Sequence, residues 1–200
     1  MRPKFYTLLL IVFLVSGVIM NSSAQRINFG THASEGIVIH NLVPQGLDFN
    51  LAAGGVLVAG SNQTVQIGLM DDETVVLEIQ AQADLDITVQ IDIPAFLQFD
   101  ASNMIPVSLN WAYSNMGATD LMTARSQAIS LPAGFQTFTF PVIRRTTGTP
   151  GPPPTPSYQG YTAPTTTAYL FIYGNLGPVG NIQAGQYDGI INVTVSYTQI

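Results

Sequence analysis

The side chains that could do chemistry in this 200-residue chain are few and scattered. The acidic run Asp71-Asp72-Glu73 offers the oxygen ligands that a hard cation such as Ca²⁺ takes, and Asp84, Asp86 and Asp92 could add carboxylates across one face. Its spacing is not that of an EF-hand loop, and a solvated hairpin turn explains the run as well. His32 and His40 are the only histidines, and there is no cysteine. No G-x-S-x-G elbow leads into a helix, and no motif pairs two of the many carboxylates for glycoside hydrolysis. No catalytic, cofactor-binding or metal-ligating residue is therefore assigned, no cofactor is expected, and the chain reads as non-enzymatic. The aromatics Trp111, Tyr113, Tyr158, Tyr161, Tyr169 and Tyr173 could stack on a sugar. Trp111 and Tyr113 follow Val107 and Leu109 in phase and belong to a core. Tyr158 and Tyr161 lie in a loop with no core to join, which makes them the candidate ligand contacts.

The elements that must position these residues are strands. Period-two alternation dominates, and helical periodicity is nearly absent. In the clearest case Leu85, Ile87, Val89, Ile91 and Ile93 point one way, while Asp84, Asp86, Thr88, Gln90 and Asp92 point the other. One face is buried and one wet, and a slip of one residue would bury the carboxylates. Pro94 then stops the ladder. Further strands are expected around 36–40, 47–49, 56–58, 65–69, 75–81, 105–113, 138–142 and 167–173. Residues 116–129 fit either a short helix or a loop. The chain ends on Ile191, Val193, Val195 and Tyr197 at spacing two, a regular strand expected to pair centrally, with 85–93 the partner best matched in character. About nine or ten short strands with turn signals between them predict an all-β fold, an antiparallel sandwich or barrel.

Composition sets the compartment. Arg2 and Lys4 precede an apolar run from Phe5 to Met20, and Ser22 and Ala24 stand where a signal peptidase reads. As a helix that run spans about 24 Å, short of the roughly 30 Å hydrocarbon core. Residues 1–24 therefore read as a signal peptide, 25–35 as a flexible lead, and 36–200 as one β-sandwich domain. The net charge is −6, and removing Arg2 and Lys4 makes it more negative. No lysine follows Lys4, so nucleic acid is not an expected partner, nor is insertion of the mature chain into a membrane. Residues 144–165 hold Pro150, Pro152, Pro153, Pro154, Pro156 and Pro164 and form a long loop, since proline cannot donate to a ladder. Arg144-Arg145 opens it, read as a solvated pair at a strand end, with a proteolytic site or a salt partner for the acidic face as the alternatives.

Gly174-Asn175-Leu176, Val179-Gly180-Asn181-Ile182, Gly185-Gln186-Tyr187-Asp188-Gly189 and Val193-Thr194-Val195-Ser196-Tyr197 together resemble an uncharacterised family of secreted bacterial domains. That family ends in G-x-Y-x-G followed by an alternating strand, and is similar to the spore coat protein U and fimbrial-subunit group. Leu47-Asp48-Phe49 resembles its opening region, with Asn50 where a glycine is usual, and Asp92-Ile93-Pro94 resembles its mid-domain strand. The likeness runs over residues 45–197 and rests on structural motifs. It implies an immunoglobulin-like β-sandwich, exported to the periplasm, cell surface or exterior of a Gram-negative cell. The disulfide of many fimbrial relatives is absent.

These observations lead to an exported structural or adhesive subunit, fimbria-like, that works through strand or surface interactions with itself or with other surface subunits. Ile27 and Phe29 are spaced to act as a donor strand completing another copy's sheet edge. The alternative is a carbohydrate- or ligand-binding surface module that uses the 144–165 loop. A small outer-membrane barrel would also suit the strand count, but the acidic face of 84–92 argues against an apolar outer band.

Overall fold

The computed structural model describes residues 25–55, 57–132, 134–145 and 163–198. Its strands are β1 (Arg26–Ala33), β2 (Val38–Asn41), β3 (Leu47–Asp48), β4 (Val65–Ile67), β5 (Val75–Gln82), β6 (Asp86–Asp92), β7 (Phe96–Gln98), β8 (Met104–Ser114), β9 (Ile129–Ser130), β10 (Thr137–Pro141), β11 (Thr165–Leu176) and β12 (Asp188–Tyr197). Two short helices, α1 (Phe49–Ala52) and α2 (Leu121–Ser126), interrupt them. The chain is all-β, as its alternation requires.

Alternation in β6 translates directly into burial. Ile87, Val89 and Ile91 are fully buried, while Gln90 and Asp92 face water. One edge of β6 pairs antiparallel with β12, from Ile87↔Tyr197 to Asp92↔Asn192, and the other pairs with β10. Pro94 ends this ladder, because it has no N–H to give. The strand resumes as β7, which meets β12 at Gln98↔Asp188 and hands over to β8 at Phe96↔Pro106. Beyond Pro106, β8 leaves β7 and pairs with β11 from Val107 to Ser114. β11 pairs onward with β5, and β5 with β2. A single sheet is thus curled on itself, with β8 as the bend. Its inward positions close one core, in which Ile27, Ile87, Val89, Ile191 and Val193 from one half meet Leu77, Ile79, Trp111, Leu170 and Ile172 from the other.

Several expectations need correction. The twelve strands exceed the expected nine or ten. Pairing is not wholly antiparallel, since β1 runs parallel to β12. Within the lead at 25–35, residues 26–33 form that parallel strand, and Ile27 supplies an apolar anchor that is fully buried. Leu57 and Val58 form no strand. Residues 47–49 are not one strand either: β3 spans only Leu47 and Asp48, whose carboxylate caps α1 by accepting the Asn50 and Leu51 N–H groups. Between Met116 and Ile129 the helix prevails over the loop. Asp120 caps α2, accepting from the Thr123 N–H at 2.9 Å and the Thr123 hydroxyl at 2.7 Å. α2 lays Ala124 on Val76, Ala112, Tyr169 and Phe171, a second apolar cluster on the outer face of the sheet.

Candidate assembly seam

β1 and β12 lie at opposite ends of the described chain, so no turn sets their register. Parallel neighbours always need a long connection, and here it is nearly the whole fold. The pairing runs from Arg26↔Asp188 to Ala33↔Val195. Ile27 enters the core opposite Gly189, where a Cβ would come within 2.7 Å of Leu97 Cδ2 and 3.2 Å of Pro94 Cγ. Phe29 packs at the rim of the same core. The other edge of β1 is covered only at its start, where Arg26 and Ile27 pair with Asp48 and Leu47 of β3. Among the described residues no strand lies against that edge from Asn28 to Ala33. The Arg26 guanidinium reaches the Asp48 carboxylate at 3.4 Å, a half-exposed pair worth little by itself.

The far end of the seam is fastened by Tyr197. Its hydroxyl donates to the Gly36 carbonyl at 3.0 Å and accepts the Gln82 N–H at 3.0 Å. Its ring lies against Gly36, which has φ +81°. One phenol therefore joins the end of β12, the end of β5 and the Ser34–Ile37 link that carries the chain from β1 to β2. The alternating pattern marks Tyr197 as a strand residue, but its partners are remote in sequence and only folding brings them within reach.

The Gly185-x-Tyr187-x-Gly189 motif opens β12 and is a packing device. Tyr187 is buried, its hydroxyl donates to the Gln183 carbonyl at 2.7 Å, and its ring sits 5.9 Å from that of Phe99. Burial, and next the charge of Asp100, push the Tyr187 phenol up from its ordinary value. Asp100 itself is held below the usual carboxylate range by the Asn103 side chain and the Ser102 N–H.

The other candidates fall into separate places. Tyr158 and Tyr161 lie outside the described residues. Trp111 is buried and Tyr113 stacks on Phe140 at 4.3 Å, so both are core, as their phase requires. Asp71-Asp72-Glu73 forms a turn closed from within: the Asp71 carboxylate accepts the Gly68 N–H at 2.7 Å. The buried Arg125 guanidinium of α2 donates to the Met70 and Asp71 carbonyls at 3.0 and 2.9 Å. The described residues hold no cluster of three metal-capable side chains. His32 and His40 are exposed on β1 and β2. Arg145 is not simply solvated: it pairs with Asp86 at 2.8 Å and also donates to the Asp84 carbonyl, so the acidic face recruits it. No protein-family model matches the chain, and no curated protein matches it.

Proposed function

We propose that this chain is an exported, non-enzymatic subunit of a bacterial surface assembly, built as an immunoglobulin-like sandwich and joined to its neighbours by strand addition. One observation carries the reading: a terminal strand lies parallel along the last strand, anchored by Ile27, with its outer edge almost uncovered. Such a strand contributes backbone hydrogen bonds and one inserted side chain without being part of any hairpin. The same contacts form whether β1 comes from its own chain or from a second copy, which is the condition for exchange of an element between protomers. The inward-apolar, outward-polar pattern of β6 and β12 suits a water-exposed subunit and is opposite to the apolar outer band of a membrane barrel.

The test is oligomeric state. A chain lacking residues 25–35 exposes the β12 edge and should bind a synthetic peptide spanning Gln25–Glu35, with the intact protein forming dimers or longer species at high concentration. If the intact protein stays monomeric and the shortened chain neither self-associates nor takes up the peptide, strand addition is wrong.

A further inference from the structure

α2 covers only part of the outer face formed by β8, β11 and β5. Beside it, Gly117, Ala118 and Thr119 stand next to Glu78, Thr166, Thr167 and Tyr169, and these residues line a groove of about 380 Å³. A single rung crosses the sheet here. Ser114, Tyr169 and Glu78 are direct register partners across β8, β11 and β5, so their side chains share one face.

Two hydroxyls on this rung lack partners. Tyr169 is only 9 % exposed and lines the groove, and its hydroxyl, which is not sealed in the core, makes no hydrogen bond among the described residues. The Ser114 Oγ is buried and also has none. Buried polar groups are normally satisfied, and an exception asks for a cause. Ser114 is such an exception, and beside it in register the Tyr169 hydroxyl faces the groove with its hydrogen-bonding capacity unused, open to a ligand that brings hydrogen bonds of its own.

The chemistry of the lining selects the ligand. Among the described residues no lysine or arginine lines the groove, while Glu78 contributes a carboxylate. Phosphate, sulfate and carboxylate ligands are therefore repelled. The Tyr169 phenol is raised from its ordinary value by burial and then by the charges of Glu78 and Asp120, which keeps it a neutral donor. A carboxylate that accepts from two adjacent hydroxyls, several hydroxyls that both give and accept, and the small faces of Gly117 and Ala118 suit a polyhydroxylated ring. We propose that the groove beside Glu78, Thr119, Thr167 and Tyr169 binds a neutral saccharide residue. This site uses none of the β1–β12 seam, so it stands or falls separately from strand addition.

Saturation-transfer NMR on the purified protein tests it, with the methyl glycosides of glucose, galactose and mannose, N-acetylglucosamine and cellobiose as probes and glucosamine as the cationic control. At least one neutral sugar should receive saturation and bind in the millimolar range, about −4 kcal/mol. Tyr169→Phe keeps the buried ring and removes only the hydroxyl, and Glu78→Gln keeps the shape and removes the charge. Each should weaken binding about tenfold or more while the melting curve stays close to that of the parent. The proposal is overturned if no neutral sugar receives saturation, or if both variants bind as the parent does. It is also overturned if only glucosamine binds and salt abolishes that binding, which would make the groove a cation site.

Discussion

β11 and β12 are the last two strands of the chain, of similar length and similar residue types, yet they are buried in different ways. In β12 the inward residues Ile191, Val193 and Val195 are fully buried while Ile190, Asn192 and Thr194 face water. In β11 the run Ala168-Tyr169-Leu170-Phe171-Ile172 is buried on both faces. The difference lies in what covers the outer face. α2 lies over β11, with Ala112 of the neighbouring β8 beside Phe171, and among the described residues no helix lies over β12. The burial of the outward residues Tyr169 and Phe171 is therefore owed to neighbours that the strand itself does not encode, the six-residue α2 among them.

The comparison can be broken most forcefully at Phe171, which has no exposed surface and sits under α2. Phe171→Ala should cost about 3–5 kcal/mol of unfolding free energy. The matching change on β12, Ile190→Ala, removes a side chain that is 62 % exposed and should stay within about 0.5 kcal/mol. Urea titration of both variants makes the check, and equal losses would mean that the outer face of β11 is not a real second core.

Arg125 ties α2 to the acidic turn before β5, so Arg125→Met should detach one from the other. The Met70 and Asp71 carbonyls would lose their donor, and about 1–3 kcal/mol should go with it. Amide exchange should quicken at residues 69–74 and in α2, and β12 should be unaffected.

Tyr197→Phe sharpens the other side of the comparison. It keeps the ring on Gly36 but loses both bonds of the hydroxyl, for about 1–3 kcal/mol in total. Exchange should rise first at Gln82 and along β1. If strand addition is the mechanism, this variant should also associate faster than the parent, a difference visible by size-exclusion chromatography.

The smallest effect concerns acid. Asp120 is held below its ordinary value of 3.8 by the Thr123 N–H and hydroxyl, and Asp100 by Asn103 and the Ser102 N–H. A carboxylate whose folded value is depressed contributes stability above the unfolded value and loses it as pH falls through the folded one. Stability should therefore decline below pH 3.8. Asp120→Asn should flatten that decline at α2 and β11, and Asp100→Asn near Tyr187 at the start of β12. Denaturation midpoints measured across this range would show it, and an unchanged acid limb in both variants would count against these bonds.

Much of the strand inventory was legible because one-sided burial writes itself as alternation. Residues 85–93, 105–113 and 191–197 read correctly for that reason, and so did the central place of the last strand beside 85–93. β1 was not legible. Its sequence from Arg26 to Ala33 carries one buried apolar residue, and its pairing partner begins at Asp188, so neither pattern nor turn chemistry announces it. β7 and β9, of three and two residues, are too short to show a period. The rung Ser114–Tyr169–Glu78 was hidden for a similar reason. Tyr169 stood out as an aromatic, but only strand register brings Ser114 and Glu78 beside it.

What the sequence determined alone is local: which residues alternate, where Pro94 must stop a ladder, that no cysteine can staple the fold, and that the surface is acidic. Each follows from the chemistry of one residue or its near neighbours. What the tertiary structure decided is which strands meet and what covers their second face. β1 lies along β12, β8 bends from β7 to β11, α2 roofs β11, and Tyr197 joins three segments. Those outcomes depend on apolar surface contributed from distant parts of the chain, and burial is a property of the assembled fold rather than of any stretch within it.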